Sequence, residues 1–352
     1  MEKVMSRKLI TISTIMTLMS TSIMADAPNV AADIAPIHSL VSKVMDGVGE
    51  PKLVIQSGAS PHGYRLRPSE AKALQDANLI FWMGEELTPW LDGAIDTLAS
   101  NASVTSLLDQ EGVVLHEFRE GALFEAHDHS AHDDHDDHKD HDDHDDHDDH
   151  KDHDDHDDHD DHDDHDDHDD HDDHDDHDDH GHSAHDPHAW LSPENAKLWL
   201  NIIASKLSVA DPENAATYFT NAAAGQAEIE EMISEVSATL KPVKDGKFVV
   251  FHDAYQYFEN DFDFYASGAI SLSDASDPSP ARIAKVQRRI RDEGIQCVLA
   301  EPQFKQGLVA TVMEGSEATA SVIDPLGADI KPGPKLYTQL IKNMAKTLRD
   351  CL

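Results

Sequence analysis

Short apolar runs alternate with amphipathic stretches along most of this chain. Residues 30–34, 53–55 and 79–83 are compact and rich in Val, Ile, Leu and Phe. Each precedes a segment with apolar positions at helical spacing: 37–48, then 68–77, then 88–98. Residues 113–115 suggest a further strand. The alternation resumes at 248, with strands predicted over 248–251, 264–266 and 297–300 and at Val322 and Ile323. Helices are predicted over 280–293, 305–316 and 334–348. Between the two blocks, Ser192-Pro193-Glu194 reads as a helix start, with Pro at the first helical position. That helix runs to about residue 209. Asp211-Pro212-Glu213 opens another, which continues without proline to about residue 240 and is long for a globular domain. Two βα blocks joined by one long helix imply an α/β protein of two lobes with mainly parallel sheets. The lobes are expected at 26–210 and 241–352, with 211–240 as the linking helix.

One segment breaks the pattern. From His132 to His180 a histidine stands at every third position, seventeen in all, and 30 of the 32 residues between them are Asp. His127, His129, His182, His185 and His188 flank the repeat. With no apolar residue to offset the entropy of ordering, it cannot form a packed core. Residues 125–186 are therefore expected to be a disordered His/Asp-rich insertion in the first lobe. Extended as polyproline II, the repeat would space its histidines about 9 Å apart, too far for neighbours to share an ion. It reads as a set of weak, exchangeable metal sites, or as a repeat expansion without a role.

The repeat also accounts for −28 of the net charge of −43. No basic stripe remains to neutralise phosphates, so nucleic acid is not an expected partner. Lys3, Arg7 and Lys8, an apolar stretch over 9–19 and small residues over 22–27 read as a signal peptide, 1–25, cleaved after Ala25. Export follows. Cys297 and Cys351 are the only cysteines. In an oxidising compartment they suggest one disulfide, worth ~4 kcal/mol in the chain-entropy model, with two buried thiols as the alternative.

Ligands of parallel sheets bind beyond the carboxyl ends of the strands. His252 directly follows the strand at 248–251, and His62 lies in the loop after 53–55. Asp324 ends the last strand, and His188 sits in the loop before the Ser192 helix start. Three imidazoles, with or without a carboxylate, make a nitrogen-rich tetrahedral site that favours zinc. His38 and His116 read as surface or core histidines without a role, and Trp82, Trp90, Trp190 and Trp199 as core. Glu301 either helps to close the cleft or is a simple strand-end carboxylate.

The segments Ser60-Pro61-His62-Gly63-Tyr64, Asp186-Pro187-His188-Ala189-Trp190, Phe251-His252-Asp253-Ala254-Tyr255, Glu301-Pro302-Gln303 and Asp324-Pro325-Leu326-Gly327 occur in order along the chain. In these motifs it resembles ZnuA, the zinc-binding periplasmic component of bacterial ABC importers, within the metal-binding cluster of substrate-binding proteins. The resemblance implies His62, His188 and His252 as metal ligands. It implies Asp324 by its match to the aspartate of manganese-binding relatives, a place that water or another carboxylate often fills in zinc members. The manganese relatives carry Glu where this chain has His252, which points to zinc. The resemblance further implies a C-terminal disulfide and delivery of Zn²⁺ to an inner-membrane ABC permease by a periplasmic monomer. The rival is a zinc hydrolase with a three-histidine site and water at the open position. No H-E-x-x-H segment supports it.

Overall fold

The computed structural model describes residues 27–119, 124, 185–271, 278–304 and 306–352. The anticipated leader at 1–25 and the repeat at 132–180 lie outside the described residues.

The first block folds as β1 (Val30–Ala32), α1 (Ala35–Val44), β2 (Lys52–Leu53), α2 (Pro68–Gln75), β3 (Leu79–Trp82), α3 (Pro89–Leu98) and β4 (Ser103–Ser106). Its strands form a parallel sheet in the order β2-β1-β3-β4. After α4 (Pro193–Ala210) and α5 (Ala215–Leu240) the second block repeats the plan. It comprises β5 (Phe248–His252), α6 (Gln256–Phe262), β6 (Ala269–Ser271), α7 (Pro280–Asp292), β7 (Cys297–Ala300), α8 (Gln306–Met313) and β8 (Thr319–Val322), with α9 (Leu336–Cys351) closing the chain. The strand order is β6-β5-β7-β8, again parallel. In each lobe the chain leaves the first strand for one neighbour and then crosses to the other side. That reversal opens a crevice beyond β1 and β3 in one lobe and beyond β5 and β7 in the other.

Local chemistry sets the helix starts. Proline stands at the first turn of α2, α3, α4 and α7, where its missing N–H costs nothing. Ser192 Oγ accepts from Asn195 N (3.2 Å) at the start of α4, and Ser279 Oγ from Arg282 N (3.3 Å) at α7. The Glu70 carboxylate reaches back to Arg67 N (2.7 Å) at α2. The linking helix buries one stripe, Tyr218, Ala222, Gly225, Ile229, Met232, Val236 and Leu240. It packs on α1, α4 and α9. A Cβ at Gly225 would lie 2.9 Å from Leu200 and 3.1 Å from Lys43, so any larger residue there would push on both side chains.

The core is shared. Phe248 and Val250 of β5 join a cluster that includes both Val30 and Leu340. Val249 and Phe251, on the other face, join a smaller one with Val286, Ile290 and Val309. Burial on both faces explains the unbroken apolar runs of the central strands. The last helix ties the lobes together. Ser39 Oγ on α1 donates to Gly333 O (2.8 Å) and accepts from Tyr337 N (3.0 Å). At its far end Cys351 is disulfide-bonded to Cys297 of β7, which excludes the free-thiol alternative.

The structure departs from the pattern reading in several elements. Residues 113–115 are not a strand; the fourth strand is Ser103–Ser106, an edge strand with Thr105 alone buried and so without an apolar run. The weak strand anticipated at 264–266 lies at Ala269–Ser271, while Phe264 stacks on Phe248 at 5.3 Å. Helix α6 was not anticipated. Before α5 a 3₁₀ turn, Pro212–Asn214, intervenes, and Asp211 accepts from Asn214 Nδ2 and Tyr218 OH, both at 2.7 Å. Of the anticipated insertion, His185 and Asp186 are among the described residues and are held in place: His185 bridges Glu117, and Asp186 N donates to His116 O (2.8 Å).

Candidate metal centre

His252 is the last residue of β5 and is buried. Glu301 directly follows β7, the neighbouring strand, and its Oε1 lies 2.6 Å from His252 Nδ1. The pair thus spans the crevice position of the second lobe. His188 is presented by a tight turn: the Asp186 carboxylate accepts from His188 N (3.0 Å) and meets His188 Nδ1 at 2.6 Å. A short polar side chain that bonds the backbone two residues on favours this turn. His62 lies in the loop after β2, half-buried, and Trp90 Nε1 donates to the adjacent Pro61 carbonyl at 2.7 Å.

These three segments converge. One ring nitrogen from each of His62, His188 and His252 lies within 4.8 Å of the others. His188 Nε2 and His252 Nε2 are 3.4 Å apart. An ionised carboxylate only accepts, so Asp186 and Glu301 each select the tautomer with hydrogen on Nδ1. The Nε2 lone pairs then face one another, as ligation requires. The cavity between them is about 10 Å³ and is also lined by Trp190, Gln303 and Phe304.

One cation faces the carboxylates around the site. Arg119 donates to Asp253, next to His252, at 3.0 Å from Nε, and to Glu259 at 2.5 Å from Nη1. Its guanidinium lies 3.6 Å above the Phe124 ring. Burial raises the Asp186 carboxyl above its ordinary value, while the His188 backbone bond and the Arg119 charge oppose this and favour the ionised form that accepts from His188 Nδ1.

Asp324 is not brought into the group. Its carboxylate accepts from the backbone N–H of Leu326 (2.9 Å), Gly327 (3.0 Å) and Ala328 (2.5 Å), and so closes its own turn. The other histidines pack: His38 is buried with Nε2 3.1 Å from Pro51 O, and His116 lies against Tyr257 at 4.6 Å between ring centres. Trp82, Trp190 and Trp199 are core, and Trp190 is also a wall of the cavity. The roles of Asp186 and Arg119 escaped sequence reasoning. The two-residue spacing in Asp186-Pro187-His188 was the available signal for the first. Arg119 bonds residues 134 and 140 positions away and carries no local signal.

Comparison with known proteins bears on this arrangement. Residues 30–351 match the family described as zinc-uptake complex component A, periplasmic (ZnuA). The chain belongs to this family. It is 47% identical over 332 residues to the high-affinity zinc uptake system protein ZnuA of Brucella abortus, covering 94% of each chain. It is 43% identical over 329 residues to that of Paracoccus denitrificans, covering 93% of each. A crystal structure of ZnuA shares the fold, with a TM-score of 0.66 and 20% identity over 93% of this chain and 99% of the other. Members are substrate-binding proteins and not enzymes, so the hydrolase reading is set aside.

Proposed function

We propose that this chain captures Zn²⁺ in the periplasm through His62, His188 and His252 and passes it to the inner-membrane permease of an ABC zinc importer. One observation carries the reading: three imidazole nitrogens within 4.8 Å of one another, two of the rings oriented by buried carboxylates. Three neutral nitrogens and one further position suit tetrahedral Zn²⁺ better than ions that prefer six oxygens. Asp324 is left to its turn in this reading. The ligands come from both lobes, 26–210 and 241–352, so the ion sits between them. The shared core and the two spanning helices, α5 and α9, favour a stiff pair of lobes over a loose hinge. Residues 1–25 act as a cleaved export signal, and the working unit is a monomer. Among the described residues no helix is long and apolar enough to cross a membrane.

Zinc titration of a chain lacking 132–180 tests the site. One tight equivalent is expected, and His252→Ala in the same background abolishes it. Loss of the tight equivalent with the repeat alone would refute the reading.

A further inference from the structure

We propose that Gln303 positions a water molecule that completes the zinc shell. The proposal rests on the three-histidine reading above. Three imidazoles leave one corner of a tetrahedron. Asp324, the carboxylate nearest to that role in the sequence, already accepts three backbone bonds. Gln303 follows Glu301 by two residues and lines the cavity beside all three histidines. Its Oε1 is buried, and no donor among the described residues reaches it. A buried acceptor without a donor is costly, so a site that keeps one is matched to a donor that arrives with its ligand.

A zinc-bound water is such a donor. The cation draws electron density from the oxygen and makes both O–H groups strong donors. A neutral amide oxygen accepts one of them without adding charge to the site. The space among these side chains is small, about 10 Å³, and Gln303 shares it with all three histidines. Trp190, Phe304 and Leu326 add apolar wall. One held water suits a four-coordinate ion. An octahedral ion would need three further ligands, and hard ions of that geometry prefer oxygen donors to three imidazoles. Gln303 is thus a positioning residue.

The test compares wild type with Gln303→Leu, which keeps the volume without the acceptor, and Gln303→Glu, which keeps an acceptor. The full-length protein is loaded with one equivalent of zinc and challenged with excess chelator, and the slowest release phase is followed. That phase is expected to quicken by ~10–100-fold in Gln303→Leu, as for other outer-shell changes, and to stay near wild type in Gln303→Glu. The cobalt(II) form of the wild type is expected to show line broadening in ¹⁷O-water by electron paramagnetic resonance. If Gln303→Leu misfolds, Gln303→Ala takes its place in the release experiment. An unchanged slow phase in the acceptor-free variants, or no ¹⁷O broadening in the wild type, overturns the proposal. A slow phase that survives His252→Ala would instead remove the three-histidine reading itself, a distinguishable result.

Discussion

The two lobes share one topology but use its crevice differently. In the second lobe the crevice between the central strands holds chemistry: His252 ends β5, Glu301 follows β7, and the two side chains meet at 2.6 Å. In the first lobe the equivalent place holds a lock. Asp33 follows β1 and accepts from Met83 N, just past β3, and from Ile34 N, both at 2.7 Å. With that crevice closed by bonds from Asp33 to the backbone, the first lobe brings its histidines to the cluster from loops, His62 after β2 and His188 before α4. The lesson is that a strand end orients a ligand through its neighbouring strand, whereas a loop needs tethers from elsewhere.

The strongest way to break this comparison is to cut the tether that reaches across the lobes. Arg119 bonds Asp253 and Glu259 of the second lobe, and its segment pairs with Asp186 through His116 O. Arg119→Met leaves two buried carboxylates without their cation. A loss of about 3–5 kcal/mol in chemical denaturation is expected, together with weaker zinc binding as the His188 turn loosens. A variant as stable as wild type would show that the tether is dispensable.

The lock predicts a pH signature. Burial raises the Asp33 carboxyl from 3.8 to about 7. The folded state therefore holds this proton more tightly than the unfolded chain, and stability attributable to Asp33 falls as pH rises from 3.8 towards 7. Asp33→Asn removes that slope. Between pH 5 and 7 the wild type is expected to lose about 2–3 kcal/mol relative to the variant, while zinc affinity at neutral pH stays unchanged. Parallel stability curves would refute the assignment.

Glu301 should behave in the opposite way. Glu301→Ala leaves His252 without its orienting acceptor and is expected to weaken zinc binding by ~10–100-fold with little change in melting temperature. Glu301→Gln, whose amide oxygen still accepts, should fall between. Equal affinities for all three proteins by competition titration would place the orientation elsewhere. The smallest effect is expected at Trp90→Phe, which removes the bond to Pro61 O and keeps a ring. A cost of about 0.5–1.5 kcal/mol, read as faster zinc release, is in line with one hydrogen bond. No change would mean that the His62 loop is held by its packing.

Much of this protein is local and so legible in the chain itself. Apolar runs buried on both faces marked the central strands, and Ser-Pro and Asp-Pro steps marked the starts of α4 and of the turn before α5. The histidines at strand ends and loops marked the cluster that the structure brings together, because parallel topology alone sends those positions to one edge. Edge elements were not legible. β4 is half-exposed and has no apolar run, and β6 is three residues long behind an aromatic turn. Nor did Asp324 reveal that its carboxylate would turn inward to three backbone N–H groups. Only the tertiary structure paired His252 with Glu301 and Arg119 with Asp253, partners 49 and 134 residues apart. Spacing along a chain specifies contacts within a few turns. Contacts between strands and between lobes are set by the packing of the whole core, and it is those contacts that aim the imidazoles at one point.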